Sequence, residues 1–284
     1  MEFKDLLVVV DESSSGAQRI DLAVQMASAF GAHLTGLCVS EAAELRPSIL
    51  AQFPPEVLDM LSSVGRENAA RAKVVWDARL HAADAGVSTE WRAVEGDTGE
   101  VASVHARYAD LTVLGQVDPD NPIGASDLPE QVILGSGRPV IVVPYAGKFK
   151  RIGQRVMVAW NASREATRAV NDALPILERA ASVRIVSVNP EDGPSWGHGA
   201  IPGADISLHL ARHGVRVEAE TINADDVRVD DALLSRAFDV GADLIVMARH
   251  GSSGLRTAFM GSTALGLLRE ARCAVLVLPP AGEA

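Results

Sequence analysis

Residues 244–279 read LIVMARHGSSGLRTAFMGSTALGLLREARCAVLVLP, a combination of residue types suited to holding a small anion. Leu244 to Met247 form an apolar run of buried-strand type. Gly251 and Gly254 then free the backbone, and Gly261-Ser262-Thr263 opens a periodic segment with Ser262 or Thr263 as its expected N-cap and Leu265, Leu268 and Ala271 at helical spacing. Backbone N–H groups at such a helix start have no helical partner. With the helix dipole behind them they attract negative charge, and glycines let phosphate oxygens approach. Arg249, His250 and Arg256 add positive charge to the same loop. A glycine-rich loop of this kind also serves in many α/β proteins only to turn the chain.

The elements that must position this loop occur twice. Residues 6–13 (LLVVVDES) match residues 156–163 (VMVAWNAS), each a strand running into a polar turn and an alanine-rich helix, over about 17–30 and 164–179. Second strands follow at 33–39 and 182–188, and third strands at 88–94 and 215–222. Helices near 99–108 and 229–240 lead to fourth strands at 110–114 and 243–247. The halves close alike, RPVIVVP at 138–144 against CAVLVLP at 273–279. Strands alternating with helices imply right-handed βαβ crossovers and a parallel sheet in each half. The boundary falls at residues 145–154, YAGKFKRIGQ, where glycines and basic residues interrupt the apolar pattern.

Composition fits that architecture. The 284 residues suffice for two domains, and a chain 48% hydrophobic but only 4% aromatic builds its core from Ala, Val, Leu and Ile, as helices on a buried parallel sheet require. A net charge of −11, from 37 acidic and 26 basic residues, opposes broad association with nucleic acid or anionic membranes. No apolar run reaches the roughly 18 residues of a membrane span. The N-terminus leads straight into a strand, so a cytoplasmic location is expected. Cys38 and Cys273, one per half, form no disulfide framework and read as packing residues.

Ala248, two residues, Gly251, nine residues and then Gly261-Ser262 resembles the nucleotide-binding motif of the universal stress protein family, Gly-x2-Gly-x9-Gly-Ser/Thr, with Ala248 in place of the first glycine. The resemblance covers nearly the whole chain. It implies two tandem doubly wound domains, residues 1–146 and 147–284, each a five-stranded parallel sheet of order 3-2-1-4-5 with helices on both faces, adenine nucleotide alpha hydrolase-like. It further implies a stress-response protein that binds ATP, alone or with Mg2+, or a related adenine nucleotide in the second domain. Ala248, Arg249, Gly251, Gly261, Ser262 and Thr263 would hold phosphates, Ala159 and Asn161 would lie near the nucleoside, and Val188 would flank the adenine. Family members that bind nucleotide use an aspartate at the end of the first strand; here that position is Asp11 in the first half and Asn161 in the second. The tandem arrangement would act as an intramolecular pseudo-dimer with the fifth strands at its interfaces, and a homodimer of chains is a further expectation.

The first half departs from the motif. Counting back from the matched prolines places Ser126-Asp127 opposite Gly261-Ser262 and Asp118 opposite Gly251. Asp118, Asp120 and Asp127 would repel phosphate, and the bland reading of that loop is a solvated turn with Asp127 capping a helix. Asp11 reads equally as a ligand contact or as the cap of a turn. Other chemistry is sparse. His209 and His213 lie four apart on an expected short helix without a third metal ligand at suitable spacing, and Trp196 to Gly199 sit in a Gly/Pro-rich loop placed either to cover a site or to do nothing. The Walker pattern, a Gly-x-Ser-x-Gly elbow and a Rossmann glycine fingerprint after the first strand are absent. Any ATP hydrolysis is therefore expected to be slow. The competing class is an interaction protein that binds no nucleotide and signals through its dimer surface.

Overall fold

The structure, a computed structural model, describes residues 2–11, 13, 15–40, 54–83, 86–119, 127–147, 149–190, 203–249 and 260–278. The chain divides into two compact units, Phe3–Arg138 and Pro139–Ala284, the latter with Met1–Glu2.

The first unit contains β1 (Asp5–Val9), α1 (Gly16–Phe30), β2 (His33–Ser40), α2 (Pro55–Ala83), β3 (Thr89–Glu95), α3 (Thr98–Ala106), β4 (Leu111–Gly115) and α4 (Leu128–Ser136). Its strands are parallel in the order β3-β2-β1-β4. Four successive residues of β1 and of β4 are buried, which a strand shows only when both faces of its sheet are covered. The helices form two packed pairs, α1 with α2 and α3 with α4. Gly31 ends α1 in the left-handed conformation at φ 61°, and the Asp97 carboxylate accepts the Glu100 N–H at 2.6 Å to start α3. Helix α2 has no counterpart among the sequence expectations. Its Trp76, 2% exposed, lies flat on Gly36 of β2, where a Cβ would meet the indole at 2.8 Å, and stands 5.8 Å from the Trp91 ring of β3.

The second unit contains β5 (Val140–Val143), β6 (Arg155–Ala159), α5 (Arg164–Leu177), β7 (Ser182–Val188), α6 (Ala204–Arg212), β8 (Val217–Ile222), α7 (Val229–Asp239), β9 (Leu244–Ala248), α8 (Ser262–Glu270) and β10 (Ala274–Leu278). Strands β8-β7-β6-β9-β10 are parallel and reproduce the order 3-2-1-4-5. Strand β5, the last strand of the repeat's first half, packs within this unit and runs antiparallel to β10, with Ile141 opposite Leu276.

Two devices recur in both units although no local pattern announces them. An aspartate just before the fourth strand holds the start of the first. Asp110 accepts the Lys4 and Asp5 N–H groups at 2.7 and 3.1 Å, and Asp243 accepts those of Gly153, Gln154 and Arg155 at 2.9 to 3.2 Å. Burial pushes the Asp243 carboxyl up in pKa despite these donors, and burial beside that carboxylate pushes the Cys273 thiol up to about 12. A raised pKa disfavours the thiolate of Cys273 at neutral pH. The second device is the crossing of the last two helices, where a small residue must face a large polar one. In the first unit Gly99 of α3 receives the Gln131 amide of α4; in the second the sizes are exchanged, and Gly266 of α8 receives the Asp230 carboxylate of α7. Asp230 is 4% exposed and is tied to Arg228 through two hydrogen bonds.

Because a methyl at 266 would meet the Asp230 carboxylate and its Cβ, Gly266→Ala is expected to destabilise the second unit by about 1–3 kcal/mol. Chemical denaturation of the full chain, followed by circular dichroism, measures this. The cost should shrink when Asp230→Ala is already present, because the two side chains then no longer compete for one space.

Candidate functional site

In an open parallel sheet, ligands bind beyond the carboxyl ends of the strands, at the point where the connections switch from one side to the other. In the second unit that point lies between β6 and β9. Val158 pairs with Val246 and Ala159 with Val186, so Ala159 and Asn161 emerge beside the end of β9, where Ala248 and Arg249 lie. Val188 ends the neighbouring β7 opposite Ile222 and is half-buried. Gly261, Ser262 and Thr263 begin α8, which returns the chain to β10 beside β9. The expected site residues of the described segments therefore lie at the carboxyl ends of β6, β7 and β9 and at the start of α8. Gly251 lies outside the described residues, as do His250, Gly254, Arg256, Asp120, Ser126 and the Trp196 to Gly199 loop.

Several local expectations change in detail. Gly261, not Ser262 or Thr263, is the N-cap of α8: its backbone is extended at φ −64°, ψ 152°, its carbonyl accepts the Leu265 N–H at 3.1 Å, and no side chain caps the helix. Ser262 and Thr263 are the first helical residues, so their N–H groups have no helical acceptor. Asp127 occupies the corresponding cap of α4 but makes no side-chain cap bond. His213 is the C-cap of α6 rather than a residue inside it. Its ring stands 4.8 Å from that of His209 and its Nδ1 3.9 Å from Glu178.

Asn161 and Asp11 perform one local task in the two units. The Asn161 side-chain oxygen accepts the Ser163 N–H at 3.2 Å and its hydroxyl at 2.7 Å, and the Asp11 carboxylate accepts the same pair from Ser13. Each is an Asx turn that leads into the first helix. What differs is the next layer. Arg19 of α1, 2% exposed, donates its Nε to the Val9 carbonyl at 2.9 Å and brings a terminal nitrogen to 2.7 Å from Asp11. The guanidinium lies directly over Gly115, the last residue of β4, where a Cβ would collide with it. Burial alone would raise the Asp11 pKa; the Arg19 charge and the Ser13 hydrogen bonds outweigh it and hold the carboxyl below its ordinary value.

The matched positions of the second unit are Asn161, Ala169 and Ala248. Without an arginine at 169 there is no charge for residue 161 to neutralise and no guanidinium for residue 248 to avoid. The three positions that meet in the first unit thus all differ in the second. The second unit instead carries Arg249 at the end of β9, 1% exposed, where the first has Gln116. Burial lowers the Arg249 pKa below its ordinary value, and a guanidinium remains charged at neutral pH, so a cation stands at this strand end.

A model of the universal stress protein family matches residues 2–144 and again residues 153–279. The chain belongs to the universal stress protein family, in tandem form. No match is found among curated proteins. Among solved structures, the chain is similar to a universal stress protein from Archaeoglobus fulgidus DSM 4304 at 18% identity, over 99% of this chain and 97% of that one, with a TM-score of 0.72. It is also similar to a putative universal stress protein from Pseudomonas aeruginosa UCBPP-PA14 at 19% identity, over 98% and 94% of the two chains, with a TM-score of 0.57. These likenesses establish the fold. Among the described residues no helix is long and apolar enough to cross a membrane, and no group of three His, Cys, Asp or Glu is placed to hold a metal ion.

Two outcomes follow from the Arg19 cluster. Gly115→Ala, which sets a methyl against a pinned guanidinium, should cost about 1–3 kcal/mol in a denaturant titration. Asp11→Asn tests the charge. A carboxyl whose pKa is depressed in the fold stabilises it above the unfolded value of 3.8 and loses that contribution as the pH falls through the folded value. The variant should therefore melt below the wild type at pH 7, and the difference should close in acid.

Proposed function

We propose that the second unit binds ATP, alone or with Mg2+, or a related adenine nucleotide, at the crevice between β6 and β9, and that the protein serves a cytoplasmic stress response. The observation that carries this reading is the placement of Ala159, Asn161, Ala248 and Arg249 at the carboxyl ends of β6 and β9, with Gly261, Ser262 and Thr263 at the start of α8, inside the segment 153–279 that the family model matches. In this reading Ala248, Arg249, Gly251, Gly261, Ser262 and Thr263 hold phosphate through backbone, hydroxyl and guanidinium groups, Asn161 hydrogen-bonds the nucleoside while Ala159 lies beside it, and Val188 packs on the adenine. The two halves act as a pseudo-dimer, and chains pair as a homodimer. Hydrolysis, if any, is slow.

Mass spectrometry of protein isolated under native conditions should find an adenine nucleotide, and calorimetry should record binding of ATP with magnesium. Gly261→Asp places a carboxylate at the helix start and is expected to weaken ATP binding at least tenfold while the fold persists, since charge repulsion of even about 1.4 kcal/mol suffices for that factor. Neither co-purified nucleotide nor heat would favour an interaction protein acting through its dimer surface instead.

A further inference from the structure

The first unit has the same switch point between β1 and β4, and it is filled by the protein itself. Arg19 reaches from the first turn of α1 across both strand ends, bonded to the Val9 carbonyl of β1 and seated on Gly115 of β4. Asp11, the residue that occupies the family's nucleoside-contacting position, is engaged on one side by Ser13 and on the other by Arg19. We infer that Arg19 is an internal plug: its guanidinium takes the volume and the carboxylate that a ribose-bearing ligand would use, and thereby closes the first crevice. This rests on the reading that the switch-point crevice is where this fold takes a nucleoside.

The arrangement fits occlusion better than simple support of a strand end. Arg19 meets the two positions at which the family motif has its aspartate and its first glycine, Asp11 and Gly115. At the matched positions of the second unit residue 169 is alanine, and no guanidinium stands over residue 248. The pair is also unequal in burial. Arg19 is 3% exposed along its side chain and Asp11 49%. Removing the aspartate would strand a buried cation, whereas removing the arginine leaves a carboxylate that water and Ser13 still solvate. Arg19 can therefore be deleted without leaving an unpaired buried charge. The vacated crevice would suit a neutral nucleoside rather than a nucleotide, because Asp118 and Asp127 follow β4 and oppose phosphate.

The test is equilibrium dialysis of radiolabelled adenosine against wild type, Arg19→Ala and Arg19→Leu, each checked for native circular dichroism. Leucine keeps most of the apolar stem and vacates only the position over Gly115, so it preserves the packing if alanine does not. Either folded variant should bind one more equivalent of adenosine per chain than wild type, and adding Asp11→Ala should remove that equivalent by taking away the acceptor. Unchanged stoichiometry in a natively folded variant would overturn the inference. The increment is read relative to wild type. A wild type that binds no adenosine leaves the plug to show as a rise from zero to one, and the second-unit reading is decided separately by the ATP calorimetry.

Discussion

A buried guanidinium imposes conditions on everything around it. Arg19 has given up water for one carbonyl and one carboxylate, and in a low-dielectric setting it must keep both. Val9 has to end β1 with its carbonyl pointing at α1, Asp11 has to be ionised, and Gly115 has to lack a side chain. These three conditions fix the geometry of the strand ends in the first unit. Lifting them in the second permits Asn161, Ala169 and Ala248 together. The contrast between the units therefore turns on one side chain, and the differences that look scattered along the sequence are its consequences.

The helix crossing on the other side of the same units behaves alike. Gly99 against Gln131 and Asp230 against Gly266 are two solutions of one packing problem, with the large residue moved from the last helix to the one before it. A close-packed interior tolerates exchange of volume but not a net gain of it, so the two halves of a repeat diverge in compensated pairs. The backbone tethers by Asp110 and Asp243 are the same residue type in both units, each accepting two or three main-chain N–H groups at a strand start.

Much of the fold is legible in the sequence. The apolar runs of β1, β4, β6 and β9 are consecutive rather than alternating, which marks a sheet covered on both faces, and their recurrence in the same order marks the duplication. Helix α2 is not legible in the same way, since Ala72 and Trp76 are its fully buried apolar residues and most of its other described side chains are half-buried or exposed. The spacing from Ala248 to Gly261-Ser262 is legible in the sequence, and the structure puts these residues at the end of β9 and the start of α8. The N-cap of α8 is misplaced by one or two residues because Ser262 and Thr263 are better capping types than Gly261, and only the extended backbone of the glycine reveals where the helix begins. The role of Arg19 leaves no local signal at all. A lone arginine in the first turn of a helix reads as a solvated charge; only the register of β1 against β4 brings Asp11 and Gly115 to it.

If the second unit takes a nucleotide at its switch point while Arg19 fills that of the first, a footprint on the whole protein will be confined to one unit. Hydrogen–deuterium exchange with and without ATP and magnesium should show added protection at residues 159–163, 248–249 and 260–265, and no change at 9–19 and 111–119. Equal protection of both units, or protection of the first alone, would contradict the asymmetry on which the account rests.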